Sequence, residues 1–309
     1  MKALVAAPEA PDGIEIREVG EPEPISDQAV VEVRAVSLNR GECSTLRSAV
    51  DGWRPGWDLA GVVTRPAAEG GGPGLGARVV GWVNGGAWAE RAAVRNDHLA
   101  EIPDDLSFET ASTLPVAGLT AVGVLAVTGS LLGRRVAITG AAGGVGRFAI
   151  QLAHMAGAHV TAIVGRPERG EGLTALGADE VLVGLAAEGE PFDLVVESVG
   201  GASLAAAIAR LAFDGVIVSF GNSSNELATF DPRVFYRKGA PTLLGYFVTH
   251  ELIRARIGTS RLAALAGLVA EGRLESRVDL LLPWGDAASA IDALMERRVN
   301  GKAVLTIGP

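Results

Sequence analysis

The sequence predicts an α/β protein in which a doubly wound parallel sheet is joined to a β-rich, partly closed barrel. Three observations carry this. Residues 1 to 110 hold a run of short strands punctuated by turn residues. A strand, a glycine turn and a helix follow one another between Arg135 and Ala153. Beyond Arg135, strands and helices alternate.

The early strands are read from alternation. Lys2 to Val5 is short. Ile14-Glu-Ile-Arg-Glu-Val19 alternates apolar and charged residues, and Ala29 to Leu38 does so again with Val31, Val33 and Ala35 against Glu32 and Arg34. Pro11-Asp-Gly13, Pro22-Glu-Pro24 and Asp51-Gly52 supply turns. Leu59 to Thr64, Ala77 to Trp82 and Trp88 to Val94 complete the set. A helical region runs through Ala111 to Thr128, interrupted near Pro115 and Gly118. The later strands fall at 136–139, 159–164, 180–183, 193–197, 215–220 and 241–247, with helices near 145–156, 168–176 and 201–211. After about residue 250 the rhythm changes. Arg261 to Glu271 and Trp284 to Met295 read as amphipathic helices, and Ala303 to Ile307 as a last strand. These fifty-odd residues are too few to form a domain easily alone, so they are expected to complete the first one. The expected division is 1–113 with 251–309 as a β-rich catalytic domain, and 114–250 as the dinucleotide-binding domain.

The glycine turn carries the first chemical statement. Val136 to Thr139 is short, apolar and uncharged, and Gly140 to Gly146 holds four glycines in seven residues. Val145, Phe148, Ala149, Leu152 and Ala153 then recur at helical spacing. Glycines let the backbone approach a pyrophosphate, and the helix N-terminus adds free N–H groups and about half a unit of positive charge. The local pattern is Ala141-x-Gly143-x-x-Gly146, with alanine for the first glycine of the usual fingerprint. Taken alone, the turn fits any strand-to-helix connection. The second strand at His159 to Val164 makes it a dinucleotide site.

The next strand end addresses which dinucleotide. An NAD site usually places Asp or Glu there for the ribose 2′-hydroxyl. This strand ends Ile163-Val-Gly-Arg-Pro-Glu-Arg169, with Gly165 and Arg166 at its tip. A guanidinium binds a 2′-phosphate through paired hydrogen bonds, and a carboxylate repels it. NADPH is therefore expected and NADH is disfavoured. Solvated loop arginines are the alternative reading, and Glu168 keeps it open.

Composition excludes several classes. The chain has 309 residues, 48% hydrophobic and 20% charged, as in soluble globular proteins. The net charge of −9, with no long basic run, argues against nucleic acid as a partner. A single cysteine, Cys43, excludes an internal disulfide and a multi-cysteine zinc site, and suggests a reducing, cytoplasmic setting. The apolar run at the start is too short for a signal peptide, and no run reaches the ~20 residues that span a bilayer. No membrane partner is expected.

Several motifs, in order along nearly the whole chain, carry a family resemblance. They are Val36-Ser-Leu-Asn39, Pro55-Gly-Trp-Asp-Leu-Ala-Gly-Val-Val63, Gly118-Leu-Thr-Ala121, Thr139-Gly-Ala-Ala-Gly-Gly-Val-Gly146, Leu176-Gly-Ala-Asp179, Glu197-Ser-Val-Gly-Gly201, Ser219-Phe-Gly221 and Asn300-Gly-Lys-Ala-Val304. The chain resembles the medium-chain dehydrogenase/reductase superfamily, in its zinc-free quinone oxidoreductase branch. The resemblance implies a Rossmann domain and a GroES-like catalytic domain. Zinc-dependent members carry cysteine where this chain has Asn39, and a His-Glu pair where it has Trp57-Asp58. Neither Asn nor Trp is a normal zinc ligand. No zinc is expected, and His98, His154, His159 and His250 form no ligand spacing. Without a Lewis acid, hydride delivery to an electron-poor acceptor is easier than alcohol oxidation. The implied activity is NADPH-dependent reduction of a quinone or an α,β-unsaturated carbonyl.

The resemblance also assigns residues. Gly143, Gly144, Val145 and Gly146 would cradle the pyrophosphate, and Arg166 and Arg169 would bind the 2′-phosphate. Asn39 and Thr120 would lie near the nicotinamide. Val199, Phe220 and Gly221 would line the nicotinamide-ribose side, and Asn300 and Lys302 would reach the cofactor from the C-terminal segment. For Lys302, a surface charge at a strand start is an equal alternative. No catalytic acid is assigned, and Asn39, Glu42, Ser44 and Tyr246 are the candidate pocket residues. Many relatives carry a tyrosine shortly after the asparagine, but Asn39-Arg-Gly-Glu-Cys-Ser-Thr-Leu-Arg47 has none. In relatives the last sheet edge pairs two subunits, and Thr242 to Val248 is apolar enough to do so, so a homodimer is expected. Two other readings remain: a dedicated enoyl reductase in a biosynthetic pathway, and a nucleotide-binding structural or regulatory protein with little turnover.

Overall fold

The structure is a computed structural model that describes residues 1–255 and 258–308. In chain order the first elements are β1 (Lys2–Ala6), β2 (Ile14–Glu18), β3 (Gln28–Ser37), α1 (Arg40–Leu46), β4 (Asp58–Arg65), β5 (Arg78–Trp82), β6 (Arg91–Arg95), β7 (Leu99–Glu101) and α2 (Phe108–Ser112). A π-helical turn at Leu114–Gly118 leads into α3 (Leu119–Ala126). Then come β8 (Arg135–Thr139), α4 (Gly144–Met155), β9 (His159–Val164), β10 (Glu180–Val183), β11 (Phe192–Glu197), α5 (Gly201–Ala209), β12 (Leu211–Ser219), α6 (Pro232–Tyr236) and β13 (Thr242–Gly245). The last are α7 (Val248–Ala255), α8 (Gly258–Ala270), β14 (Val278–Pro283), α9 (Ala287–Met295) and β15 (Lys302–Thr306).

The chain forms two compact units. One comprises Met1–Leu119 and Thr249–Pro309, the other Thr120–Val248. In the first unit a seven-stranded sheet runs β14-β15-β3-β4-β5-β7, with β6 also on β3, and β1 and β2 form a separate antiparallel pair. The C-terminal strand β15 lies antiparallel to β3 and parallel to β14. The inward residues of the strands, including Val31, Val33, Leu59 and Val79, share a core with Trp88, Ala290 and Leu305. The alternation in β3 is what makes one face of it apolar.

The second unit is a six-stranded, wholly parallel sheet in the order β10-β9-β8-β11-β12-β13. The chain enters at the middle strand β8, winds out to β9 and β10, and returns to β11 for the other half. That reversal puts the topological switch between β8 and β11, outside whose carboxyl ends open α/β sheets bind ligands. Central strands carry almost no charge because both faces are covered. Val136, Ala137, Ile138, Leu194, Val195 and Val196 are all fully buried.

Several expected elements differ. The helix expected at 168–176 is only a 3-10 turn at Pro167–Gly170 followed by turns, because Gly172 and Gly177 take positive φ. Trp284–Asp286 is a 3-10 turn, so the helix expected from Trp284 begins at Ala287. The strand expected at 241–247 ends at Gly245, which leaves Tyr246 just beyond it. Short α1, β7, β14, α6 and α7 were not expected from the pattern. In β14 exposure alternates along Val-Asp-Leu-Leu-Leu-Pro, which hides the strand inside a mostly apolar run.

Candidate functional site

In the parallel-sheet unit the expected cofactor residues cluster by topology. Gly143 to Gly146 follow β8, Arg166 and Arg169 follow β9, Val199 follows β11, and Phe220 and Gly221 follow β12, while the pocket candidate Tyr246 follows β13. All of them leave the carboxyl ends of neighbouring parallel strands. Thr120, buried in α3, is the remaining one in this unit.

The glycine turn has the geometry of an anion cradle. Gly140 sits at φ +60°, and a Cβ there would come within 2.6 Å of Ser198 Oγ. At Gly146 a Cβ would strike the Ala141 backbone at 2.6 Å, so only glycine lets α4 pack this close to the turn. The N-cap residue of α4 is Gly143, and no side chain caps the helix. Its first turn therefore keeps unsatisfied N–H groups and the positive end of the dipole facing outward. A pyrophosphate fits these features. Arg166, exposed and extended, begins the turn after β9, with Arg169 half-buried within it.

Residues that the sequence reading did not single out brace the switch point. Glu197, at the end of β11, is fully buried. Its carboxylate accepts from the Val199 N–H at 2.9 Å, the Gly200 N–H at 3.1 Å and Ser203 Oγ at 3.1 Å. The Ser198 N–H donates to Thr139 Oγ1 at 2.8 Å, and Ser198 Oγ to the Thr139 carbonyl at 3.2 Å. These bonds tie the ends of β8 and β11 together and fix the Val199 turn. The legible signal is an acid closing the apolar run Leu194 to Val196 immediately before Ser-Val-Gly-Gly.

The barrel-like unit holds a second group. Lys302, at the start of β15, is 4% exposed, which overturns the surface-charge alternative. Its ammonium donates to the Leu38 carbonyl at 2.9 Å, to Asn39 Oδ1 at 2.6 Å and to Asp58 Oδ2 at 3.4 Å. Asp58 also accepts from Asn39 Nδ2 at 2.8 Å, Ser37 Oγ at 2.7 Å and the Val116 N–H at 2.9 Å. Glu42 reaches back from the first turn of α1 to the Asn39 N–H at 2.7 Å, one half of a capping box. Arg40 donates to the Leu294 carbonyl at the end of α9 and so anchors α1. Trp57 lies over the start of α1, where a Cβ on Gly41 would touch its ring at 2.7 Å.

Not every candidate joins this group. Ser44 is exposed, because α1 turns Glu42, Cys43 and Leu46 inward and Ser44 outward. Asn300 is half-buried and held through its N–H to Asp279 at 2.8 Å, and its Oδ1 is buried without a partner among the described residues. Asp58 and Ser37 lie in the motifs quoted above but were given no role in the site. Their signal is a carboxylate opening the apolar run Leu59 to Val63, and a serine closing β3 between Val36 and Leu38. Among the described residues no set of three or more His, Cys, Asp or Glu is arranged to hold a metal ion, and no helix is long and apolar enough to cross a membrane.

With this geometry in place, comparisons with known proteins identify the class. A family model described as zinc-binding dehydrogenase matches residues 144–262, a stretch that excludes Asn39, Trp57 and Asp58. The quinone oxidoreductase of Pseudomonas aeruginosa is 29% identical over 71% of this chain and 71% of its own length. An acrylyl-CoA reductase of Ruegeria pomeroyi is 34% identical over 54% of this chain and 56% of its own. A mycobacterial structure in complex with NADPH superposes with a TM-score of 0.89 at 25% identity, covering 99% of this chain and all of that one. The chain belongs to the medium-chain dehydrogenase/reductase superfamily, in its quinone oxidoreductase-like branch.

Proposed function

We propose that this protein is an NADPH-dependent reductase that delivers hydride to a quinone or to an activated C=C without zinc. The observation that carries the reading is the buried Lys302–Asn39–Asp58 hydrogen-bonded group; the family resemblance puts Asn39 where zinc-dependent members carry cysteine and Trp57-Asp58 where they carry a His-Glu pair. The group offers a metal one carboxylate, that of Asp58, already bonded to the Asn39 amide and the Lys302 ammonium, and no thiolate or imidazole. The relatives support the acceptor class, one being a quinone oxidoreductase and another an acrylyl-CoA reductase.

NADPH, when bound, supplies the hydride. In this reading Gly143, Gly144, Val145 and Gly146 bind the pyrophosphate through backbone N–H groups. Arg166 and Arg169 bind the 2′-phosphate. Thr120, Val199, Phe220 and Gly221 orient the nicotinamide-ribose end, and Asn39, Asn300 and Lys302 contribute from the barrel-like unit. Catalysis rests on positioning an electron-poor acceptor, which needs no strong Lewis acid. The unit Thr120–Val248 is the cofactor-binding domain, and the remainder is the catalytic one.

We further propose a homodimer formed through the edge strand β13. Its Leu243 and Leu244 are exposed, as is Phe247 beyond it, and an open apolar edge invites strand pairing.

Steady-state NADPH oxidation against a quinone panel and an enone and enoyl-thioester panel tests the reading, with metal content measured on the same sample. Turnover of either class by metal-free protein is expected. Strong preference for one enoyl thioester would favour a dedicated biosynthetic enoyl reductase. Tight NADPH binding without turnover would favour a nucleotide-binding regulatory protein. Activity that tracks stoichiometric zinc would contradict the zinc-free mechanism.

A further inference from the structure

Three ionisable side chains of the barrel-like unit are buried together: Glu42 and Asp58, both fully, and Lys302 almost so. Their hydrogen-bond donors are divided unequally. Asp58 accepts from Ser37, Asn39, Lys302 and the Val116 N–H, using both oxygens. Glu42 accepts only at Oε1, from the Asn39 N–H at 2.7 Å and Asn39 Nδ2 at 3.2 Å, and its Oε2 is buried with no partner among the described residues. One ammonium balances one carboxylate. A second carboxylate with a bare oxygen in the same dry site is strongly disfavoured, and a proton on that oxygen removes the charge.

We propose that Glu42 is a positioning residue that works as an uncharged carboxylic acid at neutral pH, with its proton on Oε2, holding Asn39 in place while the Lys302 ammonium is left to Asp58. The part this plays in hydride transfer rests on the reading above; the protonation state of Glu42 does not. Around Glu42, Asp58 faces it from β4 and Lys302 from β15, with Cys43 beside it on α1 and Arg40 two residues earlier, near Arg297. Burial is the largest influence and the negative charge of Asp58 the next, and both raise the carboxyl, which is pushed up to about 8 despite Lys302 and the bonds from Asn39. The cluster is then neutral overall, and the Asn39 amide is fixed from both ends, by Glu42 and by Lys302.

Thermal unfolding of the wild type and of Glu42→Gln from about pH 5 to about pH 9 tests this, since glutamine mimics the neutral acid. With the folded value raised above the unfolded 4.5, the native protein holds a proton that the unfolded chain has lost. The stabilisation is complete below the unfolded value and is lost as pH rises through the folded one. The wild-type midpoint is expected to fall relative to Glu42→Gln between about pH 5 and about pH 8. Parallel profiles, or a wild type that gains on the variant as pH rises, overturn the proposal. Infrared spectroscopy of the wild type supplies a second reading that needs no variant. A protonated-carboxyl C=O band is expected at about pH 7 and should vanish near pH 9.5, beyond the raised value; no such band at about pH 7 overturns it.

Discussion

Among single residues, the decisive groups have partners distant in the chain. Lys302 reaches Asn39 and Asp58 across 263 and 244 positions. Removing the ammonium in Lys302→Met leaves the Asp58 carboxylate buried without its cation, which should cost about 3–5 kcal/mol. Urea denaturation reads this, and adding Asp58→Asn should recover part of the loss by removing the stranded charge. Gly146 is the counterpart in the other unit. A methyl group there meets backbone rather than a flexible side chain, so Gly146→Ala should lose about 1–3 kcal/mol of stability. NADPH affinity should fall with it, as fluorescence titration would show. The glycine turn was legible because its pattern is contiguous. The burial of Lys302 was not, because a lysine opening a strand reads identically whether its partners are carboxylates or water. Asp58 was overlooked for the same reason, although its place ahead of Leu59 to Val63 is a usable signal.

At the scale of elements, periodicity was a good guide wherever burial is one-sided or complete. The strands β8 and β9 and the apolar stretches Leu194 to Val196 of β11 and Val216 to Val218 of β12 stand out, although β12 begins at Leu211 and runs through Asp214-Gly215, and α4 shows its inward stripe plainly. The reading failed where packing overrides the pattern. The stretch after β9 looks helical until Gly170, Gly172 and Gly177 are weighed, and β14 exposes every second residue of an apolar run. Seven-residue α1 takes its form from the Glu42 bond back to Asn39 and from the Arg40 anchor on α9. The edge strand β13 carries its own prediction. A charge at an exposed apolar edge opposes strand pairing, so Leu244→Glu should give a monomer where the wild type is a dimer at micromolar concentration. Light scattering checks this, and a wild type that is monomeric at every concentration contradicts the dimer.

Across the chain, the order of elements specifies a parallel sheet wound outward from β8 in both directions and a second sheet in which β15 returns to lie between β14 and β3. In the first sheet, the residues expected to meet a dinucleotide, Thr120 in α3 excepted, leave carboxyl ends of strands. In the second, Asn39, Asp58 and Lys302 form one buried hydrogen-bonded group. This placement underlies the proposed reduction by hydride from NADPH. The most direct test is paired fluorescence titration with NADPH and NADH, repeated on Arg166→Ala. Loss of a charge-assisted contact to the 2′-phosphate should cost about 1.5–3 kcal/mol, roughly tenfold or more in affinity. The account predicts clear preference for NADPH in the wild type and its collapse in the variant. Equal binding of the two cofactors, unchanged by the substitution, would contradict it.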